Sequence, residues 1–222
     1  KAFVSGGGAL DQEIGDFLNS VGLPTLQGYG LTETSPVVSC NPITDIRVET
    51  VGLPFKGNTV KIAEDGEILV RGENVMLGYW NKKVETDEVL KDGWLHTGDI
   101  GIMDQNGYLD ITDRKKDMII TGGFNVYPAE VENSLMSHPE IGQIAIVGAP
   151  DERLGEIAVA FVVPTKQTAP TEEGIINWAR ERIANFKVPR QIIFMSDLPT
   201  NASGKVLKFE LRESINSSKQ VD

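Results

Sequence analysis

Two short apolar runs, residues 2–5 and 24–27, flank a stretch in which Ile14, Phe17, Leu18 and Val21 recur at intervals of three and four residues. That spacing puts the four side chains on one face of a helix. Asp11 ahead of them is a cap and Gly22 behind them a stop, which predicts a helix over residues 12–21. The runs end in Gly6-Gly7-Gly8 and Gly28-Tyr29-Gly30. Strand, helix, strand is the expected order, with two glycine turns at neighbouring strand ends, where α/β sheets bind ligands.

From residue 50 the period shortens to two. Val60 and Ile62 alternate with Thr59 and Lys61, Glu64-Asp65-Gly66-Glu67 marks a turn, and residues 68–70 return as a second strand. Another hairpin turns at Asn106-Gly107, so a small β subdomain is expected. The charged stretch Asp113-Arg114-Lys115-Lys116-Asp117 interrupts the pattern as a joint would. Beyond it, Gly122-Gly123 lies between the apolar residues 118–121 and 124–126, a predicted hairpin. Pro128 suits the first position of a helix that turns Val131 and Leu135 inward. Strands are expected over residues 143–148, 157–163 and 191–195. Thr171 is placed to cap a helix carrying Ile175, Ala179 and Ile183, and Leu207, Leu211 and Ile215 mark a last helical face. The tail after Asn216 reads as too polar to pack. The expected fold class is α/β and α+β: an α/β end plus small β subdomain over residues 1–113, an interdomain joint at 114–117, and a small α+β domain over 118–222.

Composition narrows the function classes. Of 222 residues, 40% are hydrophobic and 24% charged, enough for a packed core, and 21 Lys+Arg against 32 Asp+Glu leave a net charge of −11. That balance argues against a nucleic-acid surface, because phosphate backbones are held by clustered Lys and Arg; an anionic ligand here must meet locally placed positive charge. The longest apolar run, residues 157–163, is far short of the ~20 needed to span a bilayer, so no transmembrane segment is expected. Cys40 is the single cysteine, which excludes an internal disulfide framework and fits a reducing compartment, the cytoplasm. His96 and His138 have no second ligand at metal spacing, and Trp80, Trp94 and Trp178 are expected to pack. The chain opens at Lys1 with neither an initiator Met nor a signal peptide and reads as one entered partway.

Three segments exceed what a scaffold needs. Gly28-Tyr29-Gly30-Leu31-Thr32-Glu33-Thr34-Ser35 sets an aromatic face between glycines, followed by hydroxyls and a carboxylate. A ring can stack on a nucleobase, a Thr hydroxyl can bond a phosphate oxygen, and Glu can hold Mg²⁺; the same residues also suit a loop with a helix-capping Thr. His96-Thr97-Gly98-Asp99 carries an Asp on a tight turn, suited to the two hydroxyls of a ribose. Pro199-Thr200-Asn201-Ala202-Ser203-Gly204-Lys205 presents a lysine on a small-residue loop ahead of a helix, able to deliver positive charge elsewhere or to stand idle in solvent.

Taken in order, the motifs resemble those of the adenylate-forming (AMP-binding) enzyme superfamily, which includes acyl-CoA synthetases, luciferases and peptide-synthetase adenylation domains. The residues that carry the resemblance are Gly6-Gly7-Gly8-Ala9-Leu10, Tyr29-Gly30-Leu31-Thr32-Glu33-Thr34, Gly66-Glu67-Ile68-Leu69-Val70-Arg71-Gly72, Thr97-Gly98-Asp99, Asp113-Arg114-Lys115-Lys116-Asp117, Gly122-Gly123-Phe124-Asn125-Val126-Tyr127-Pro128 and Ser203-Gly204-Lys205. The resemblance covers nearly the whole chain but only the back part of the family's usual length. The Gly-rich loop that holds the ATP β and γ phosphates has no counterpart here, so the chain is expected to be a C-terminal fragment, inactive alone. Gly30-Leu31-Thr32-Glu33-Thr34-Ser35-Pro36, Val75-Met76-Leu77-Gly78-Tyr79-Trp80 and residues 122–128 look most like the fatty acid:CoA ligase type.

The resemblance implies the fold, a remnant of the large adenylate-forming domain joined by a hinge to a mobile C-terminal lid. It also implies the chemistry: ATP-dependent activation of a fatty or other hydrophobic carboxylic acid as acyl-AMP, then transfer to CoA, with ATP, Mg²⁺ and CoA as cofactors. By similarity, Gly7, Gly8 and Ala9 would line the adenine, Tyr29 would stack on it, and Gly30 would join the nucleotide contacts. Thr32 would meet the α-phosphate, Glu33 the Mg²⁺, and Asp99 and Arg114 the ribose. Lys205 would be the catalytic lysine, Lys116 the hinge pivot, and Gly123 would lie beside the pantetheine passage. Lys115, Lys187 and Arg190 are weaker candidates for the CoA phosphates. The alternatives are an enzyme that loads a carrier protein and a noncatalytic nucleotide-binding module of the same fold.

Overall fold

In the computed structural model, which describes residues 1–8, 10–166, 169–202 and 204–218, the Asp11 carboxylate accepts a hydrogen bond from the Ile14 N–H at 3.0 Å and opens helix α1 (Gln12–Ser20). Strand β1 (Phe3–Ser5) precedes it and β2 (Thr25–Tyr29) follows, and the two pair in parallel. Gly6-Gly7-Gly8 and Gly30 therefore follow the same end of this sheet; Gly28 and Tyr29, expected in a turn, belong to β2, and the sheet continues antiparallel through β3 (Ser39–Cys40) and β4 (Leu53–Pro54). The apolar stripe of α1 does not turn inward: Ile14, Phe17 and Val21 are 55%, 62% and 52% exposed. The buried residue of the helix is Gly15, where an added Cβ would stand 2.3 Å from Val48 Cγ1, so α1 packs through its smallest residue.

A second sheet follows, built from β5 (Asn58–Ile62), β6 (Glu67–Gly72), β7 (Leu90–Lys91), β8 (Trp94–Met103) and β9 (Leu109–Arg114). Its order is β5-β6-β8-β7, with β9 antiparallel along the far part of β8. Ile68, Val70, Leu109, Val38 and Val51 form the buried core. Helix α2 (Lys83–Val89) buries none of its residues, and its Lys-Val-Glu-Thr-Asp-Glu-Val sequence has no apolar stripe to announce it. Trp80 departs from the packing expected of it and is 89% exposed, next to the left-handed Asn81. Trp94 does pack, under the Lys61 ammonium at 4.2 Å from the ring centre.

The remaining elements are β10 (Ile119–Thr121), β11 (Phe124–Val126), α3 (Pro128–Met136), β12 (Ile141–Asp151), β13 (Gly155–Pro164), α4 (Glu172–Arg180), β14 (Gln191–Phe194) and α5 (Lys208–Ser218). The sheet order is β11-β10-β13-β12, with β14 parallel to β13 on another stretch. Ile144 and Ile146 of β12 join the cluster of Val131, Leu135, Ile175 and Ala179, while Ala145 and Val147 join that of Leu211 and Ile215. A sheet covered by helices on both faces explains why residues 157–163 read as one apolar run instead of alternating. The Thr171 hydroxyl accepts from the Gly174 N–H at 3.1 Å and caps α4. Helix α5 continues past Asn216 to Ser218. The mixed α/β class is the one expected. The chain divides into two compact units, Lys1–Lys115 and Lys116–Asp222. Among the described residues, no helix is long and apolar enough to cross a membrane.

Candidate active site

Tyr29 ends β2 and Asp99 lies on β8, 70 residues later, yet the phenol donates to Asp99 Oδ2 at 2.7 Å. Burial first, then the Asp99 carboxylate beside it, push the Tyr29 hydroxyl far above the ordinary tyrosine range, so it remains a donor at physiological pH. Cross-strand pairing sets Arg114 of β9 opposite Asp99, and its Nε lies 3.8 Å from Asp99 Oδ1, an ion-pair distance beyond hydrogen-bond reach. That oxygen keeps acceptor capacity for a ligand hydroxyl. The turn is set locally: Thr97 Oγ1 donates to the Ile68 carbonyl at 2.7 Å and accepts from the Asp99 N–H at 3.2 Å, while Gly98 adopts φ +72°. Three residues singled out separately in the sequence thus converge.

A short 3-10 turn, Thr32–Thr34, follows Tyr29. Thr32 is exposed and the Glu33 side chain half-buried, while Thr34 is fully buried, its hydroxyl bonded to Leu31 and Pro36. Gly30 has a steric reason to be glycine: a Cβ there would fall 1.7 Å from the Pro36 carbonyl oxygen. A strap formed by residues 74–79 holds this loop. Asn74 Nδ2 donates to the Thr34 and Val37 carbonyls at 2.8 and 3.0 Å, and the Met76 N–H donates to the Glu33 carbonyl at 2.8 Å. Tyr79 completes it, its hydroxyl donating to Glu33 Oε1 at 2.7 Å; that bond, then burial, push the phenol up to about 12. Among the described residues, no group of three or more His, Cys, Asp or Glu gathers to hold a metal. Glu33 is an oxygen donor that fits a hard cation shared with substrate oxygens, and not a protein cage.

Gly7 and Gly8 are exposed beyond β1, with nothing within 4 Å of where a Cβ would be at either, and Ala9 lies outside the described residues. Lys115, a candidate for anion contact, is already engaged by Asp65 at 2.7 Å and Glu67 at 3.0 Å. Lys187 pairs with Glu130, and Arg190 donates to the Asn185 carbonyl at 3.0 Å.

In the second unit, Gly122 and Gly123, at φ +56° and +85°, form the two-residue turn between β10 and β11, a geometry that demands positive φ at both positions. Gly123 is exposed, and the space at its absent Cβ is open. Lys205 sits on a small loop closed by the Thr200–Val206 bridge, its N–H donating to Asn201 Oδ1 at 2.9 Å and its side chain exposed. Ser203 lies outside the described residues. Lys116, exposed, opens the second unit.

Two residues escaped the sequence reading. Tyr79 sits in Met76-Leu77-Gly78-Tyr79-Trp80, a run whose resemblance to acid:CoA ligases assigns its hydroxyl no role; Glu67 sits in the turn Glu64-Asp65-Gly66-Glu67 but is 4% exposed. The usable signal for Glu67 is an acidic residue directly opening the apolar run Ile68-Leu69-Val70.

Residues 1–80 match the model of the AMP-binding enzyme family, and residues 130–205 that of the AMP-binding enzyme C-terminal domain. A 3-[(3aS,4S,7aS)-7a-methyl-1,5-dioxo-octahydro-1H-inden-4-yl]propanoyl:CoA ligase of Rhodococcus jostii (strain RHA1) is 50% identical over 191 residues, 85% of this chain and 37% of that protein. A long-chain-fatty-acid–CoA ligase of Escherichia coli O157:H7 is 43% identical over 220 residues, 94% of this chain and 39% of that protein. The crystal structure of ATP-bound MatB from Rhodopseudomonas palustris superposes with a TM-score of 0.87 at 35% identity, over 96% of this chain and 45% of that one. The o-succinylbenzoate CoA synthetase MenE from Bacillus subtilis, in complex with the acyl-adenylate OSB-AMP, gives 0.84 at 34%, over 96% of this chain and 46% of that one. The chain spans less than half the length of each of these relatives. With both family models falling in order, one on each compact unit, and with relatives this similar across most of its residues, the chain belongs to the AMP-binding family of adenylate-forming enzymes.

Proposed function

We propose that the full-length protein is an AMP-forming acid:CoA ligase working in the cytoplasm on a fatty or other hydrophobic carboxylic acid. The acid's carboxylate attacks the ATP α-phosphorus, expelling pyrophosphate and forming acyl-AMP; the CoA thiol then attacks the acyl carbonyl, losing its proton and expelling AMP. The observation that carries this reading is the convergence of Tyr29, Asp99 and Arg114 at one point of a chain whose relatives are CoA ligases. The tyrosine ring offers a stacking face for adenine between Gly7-Gly8 and Gly30, and the second oxygen of Asp99 is available to ribose hydroxyls with Arg114 beside them.

Thr32, the exposed residue of its turn, is assigned to the α-phosphate. Glu33, oriented by Tyr79, is assigned to a Mg²⁺ ion, which when bound would neutralise phosphate charge. Lys205 is assigned to the point where carboxylate and phosphate meet: two anions must approach there, and a preorganised ammonium offsets their repulsion. Lys116 is assigned to the pivot about which the second unit, residues 116–222, acts as a mobile lid, exchanging Lys205 for the Gly123 turn beside the thiol's path. Its position directly at the division between the units supports that assignment.

The test compares acid-dependent pyrophosphate exchange with thioester formation on CoA and on a phosphopantetheine carrier protein. Exchange together with CoA thioester is the expected result. Exchange with carrier loading alone would make the acceptor a protein, and no exchange with any of a panel of aliphatic and aromatic acids would overturn the ligase reading.

A further inference from the structure

The mechanism leaves one buried charge unused. Glu67, the first residue of β6, has a carboxylate only 5% exposed. Its Oε1 accepts from the Gly98 N–H at 3.0 Å; its Oε2 accepts from Lys115 Nζ at 3.0 Å and lies 2.8 Å from His96 Nδ1. Lys115 is held a second time by Asp65 Oδ2 at 2.7 Å, and the other oxygen of Asp65 accepts from the Glu67 N–H at 3.1 Å. Burial alone would raise the Glu67 carboxyl, but bonds from His96, Lys115 and the Gly98 amide outweigh it and hold the group below its ordinary range. An ion pair at such a site is a poor investment in stability compared with apolar packing, and it is better explained by what it fixes in place.

It fixes two things. Gly98 immediately precedes Asp99, and Lys115 is the last residue of the first unit, directly after the Arg114 that faces Asp99. A torsion at Lys116 acting on an unrestrained chain would run back through Lys115 into β9 and drag Arg114 from its partner. We propose that Glu67 is a positioning residue: with Asp65 it clamps Lys115 to the first unit, so that rotation begins at Lys116, while its other oxygen sets the turn that presents Asp99. This rests on the reading of Lys116 as pivot and Asp99 as ribose acceptor, and it adds the group that isolates one from the other.

The test uses the full-length protein with Glu67→Gln, Glu67→Asp and Lys115→Met. Lys115→Met removes a half-buried cation and keeps Glu67 bonded to His96 and Gly98, so it reports on the clamp even if Glu67→Gln folds poorly. Amide hydrogen exchange at residues 113–115 is expected to accelerate roughly tenfold in Glu67→Gln and Lys115→Met, and exchange at Gly98 in Glu67→Gln alone. KM for ATP should rise severalfold in both while kcat for thioester synthesis from supplied acyl-AMP is kept, and Glu67→Asp should recover part of the KM. Unchanged exchange at 113–115 together with an unchanged KM would overturn the clamp. A Lys116→Pro variant that still forms thioester normally would instead remove the pivot reading, and the exchange result, which needs no turnover, tells the two failures apart.

Discussion

The hydroxyl of Tyr29 and the carboxylate of Asp99 share a hydrogen bond of 2.7 Å across the two sheets of the first unit. It joins the residue assigned to the adenine with the residue assigned to the ribose, so each fixes the other before any nucleotide arrives.

Tyr29→Phe keeps the ring and removes that donor. A hydrogen bond to a charged acceptor is worth about 1.5–3 kcal/mol, so nucleotide affinity should fall by roughly tenfold or more, with the fold intact. Calorimetric titration of ATP into the full-length protein measures it. Unaltered affinity would mean that Asp99 needs no help from Tyr29.

Tyr79→Phe releases the Glu33 carboxylate while the backbone bond from Met76 continues to hold the turn. Acyl-AMP formation should slow by about an order of magnitude, the scale of one hydrogen bond to a charged group. Because Tyr79 acts through Glu33, its effect should nearly vanish in a Glu33→Gln background, which a double-mutant cycle in the pyrophosphate-exchange assay reads directly. Additive losses would show that Tyr79 serves something else.

Gly30→Ala should be among the most damaging small changes in the first unit. Its Cβ would have to occupy space 1.7 Å from the Pro36 carbonyl oxygen and 2.9 Å from Val37 Cα, both backbone, so the loop carrying Thr32 and Glu33 must move. Overpacking of this kind costs about 1–3 kcal/mol or more, and a thermal melt should register the loss together with weakened nucleotide binding. Gly7→Ala, in open space but at φ +87°, should cost less.

What the sequence makes legible is local. Val131 and Leu135 at helical spacing are fully buried, Thr171 and Asp11 do cap their helices, and the Gly122-Gly123 pair makes the hairpin turn that its neighbours suggest. Periodicity places α1 where it is found, and the apolar face it names, Ile14 and Phe17, is exposed in these 222 residues, which span less than half the length of the relatives. The site itself was legible as separate motifs, while their joining was not. The Tyr29–Asp99 and Tyr79–Glu33 bonds span 70 and 46 residues and depend on how the loops cross. Glu67 was hidden for the opposite reason: a charge in an Asp-Gly turn looks solvated, and only the sheet pairing of β6 with β8 buries it.

One exposed ammonium group, Lys205, is assigned to join two anions in the first half-reaction and to have no part in the second. Lys205→Ala in the full-length protein, assayed separately for pyrophosphate exchange and for thioester synthesis from supplied acyl-AMP, tests it directly. Exchange should fall by roughly 10²–10³, the scale seen when one preorganised donor to a developing charge is lost, with thioester synthesis retained. An equal loss in both half-reactions, or none in exchange, would remove Lys205 from the role assigned to it.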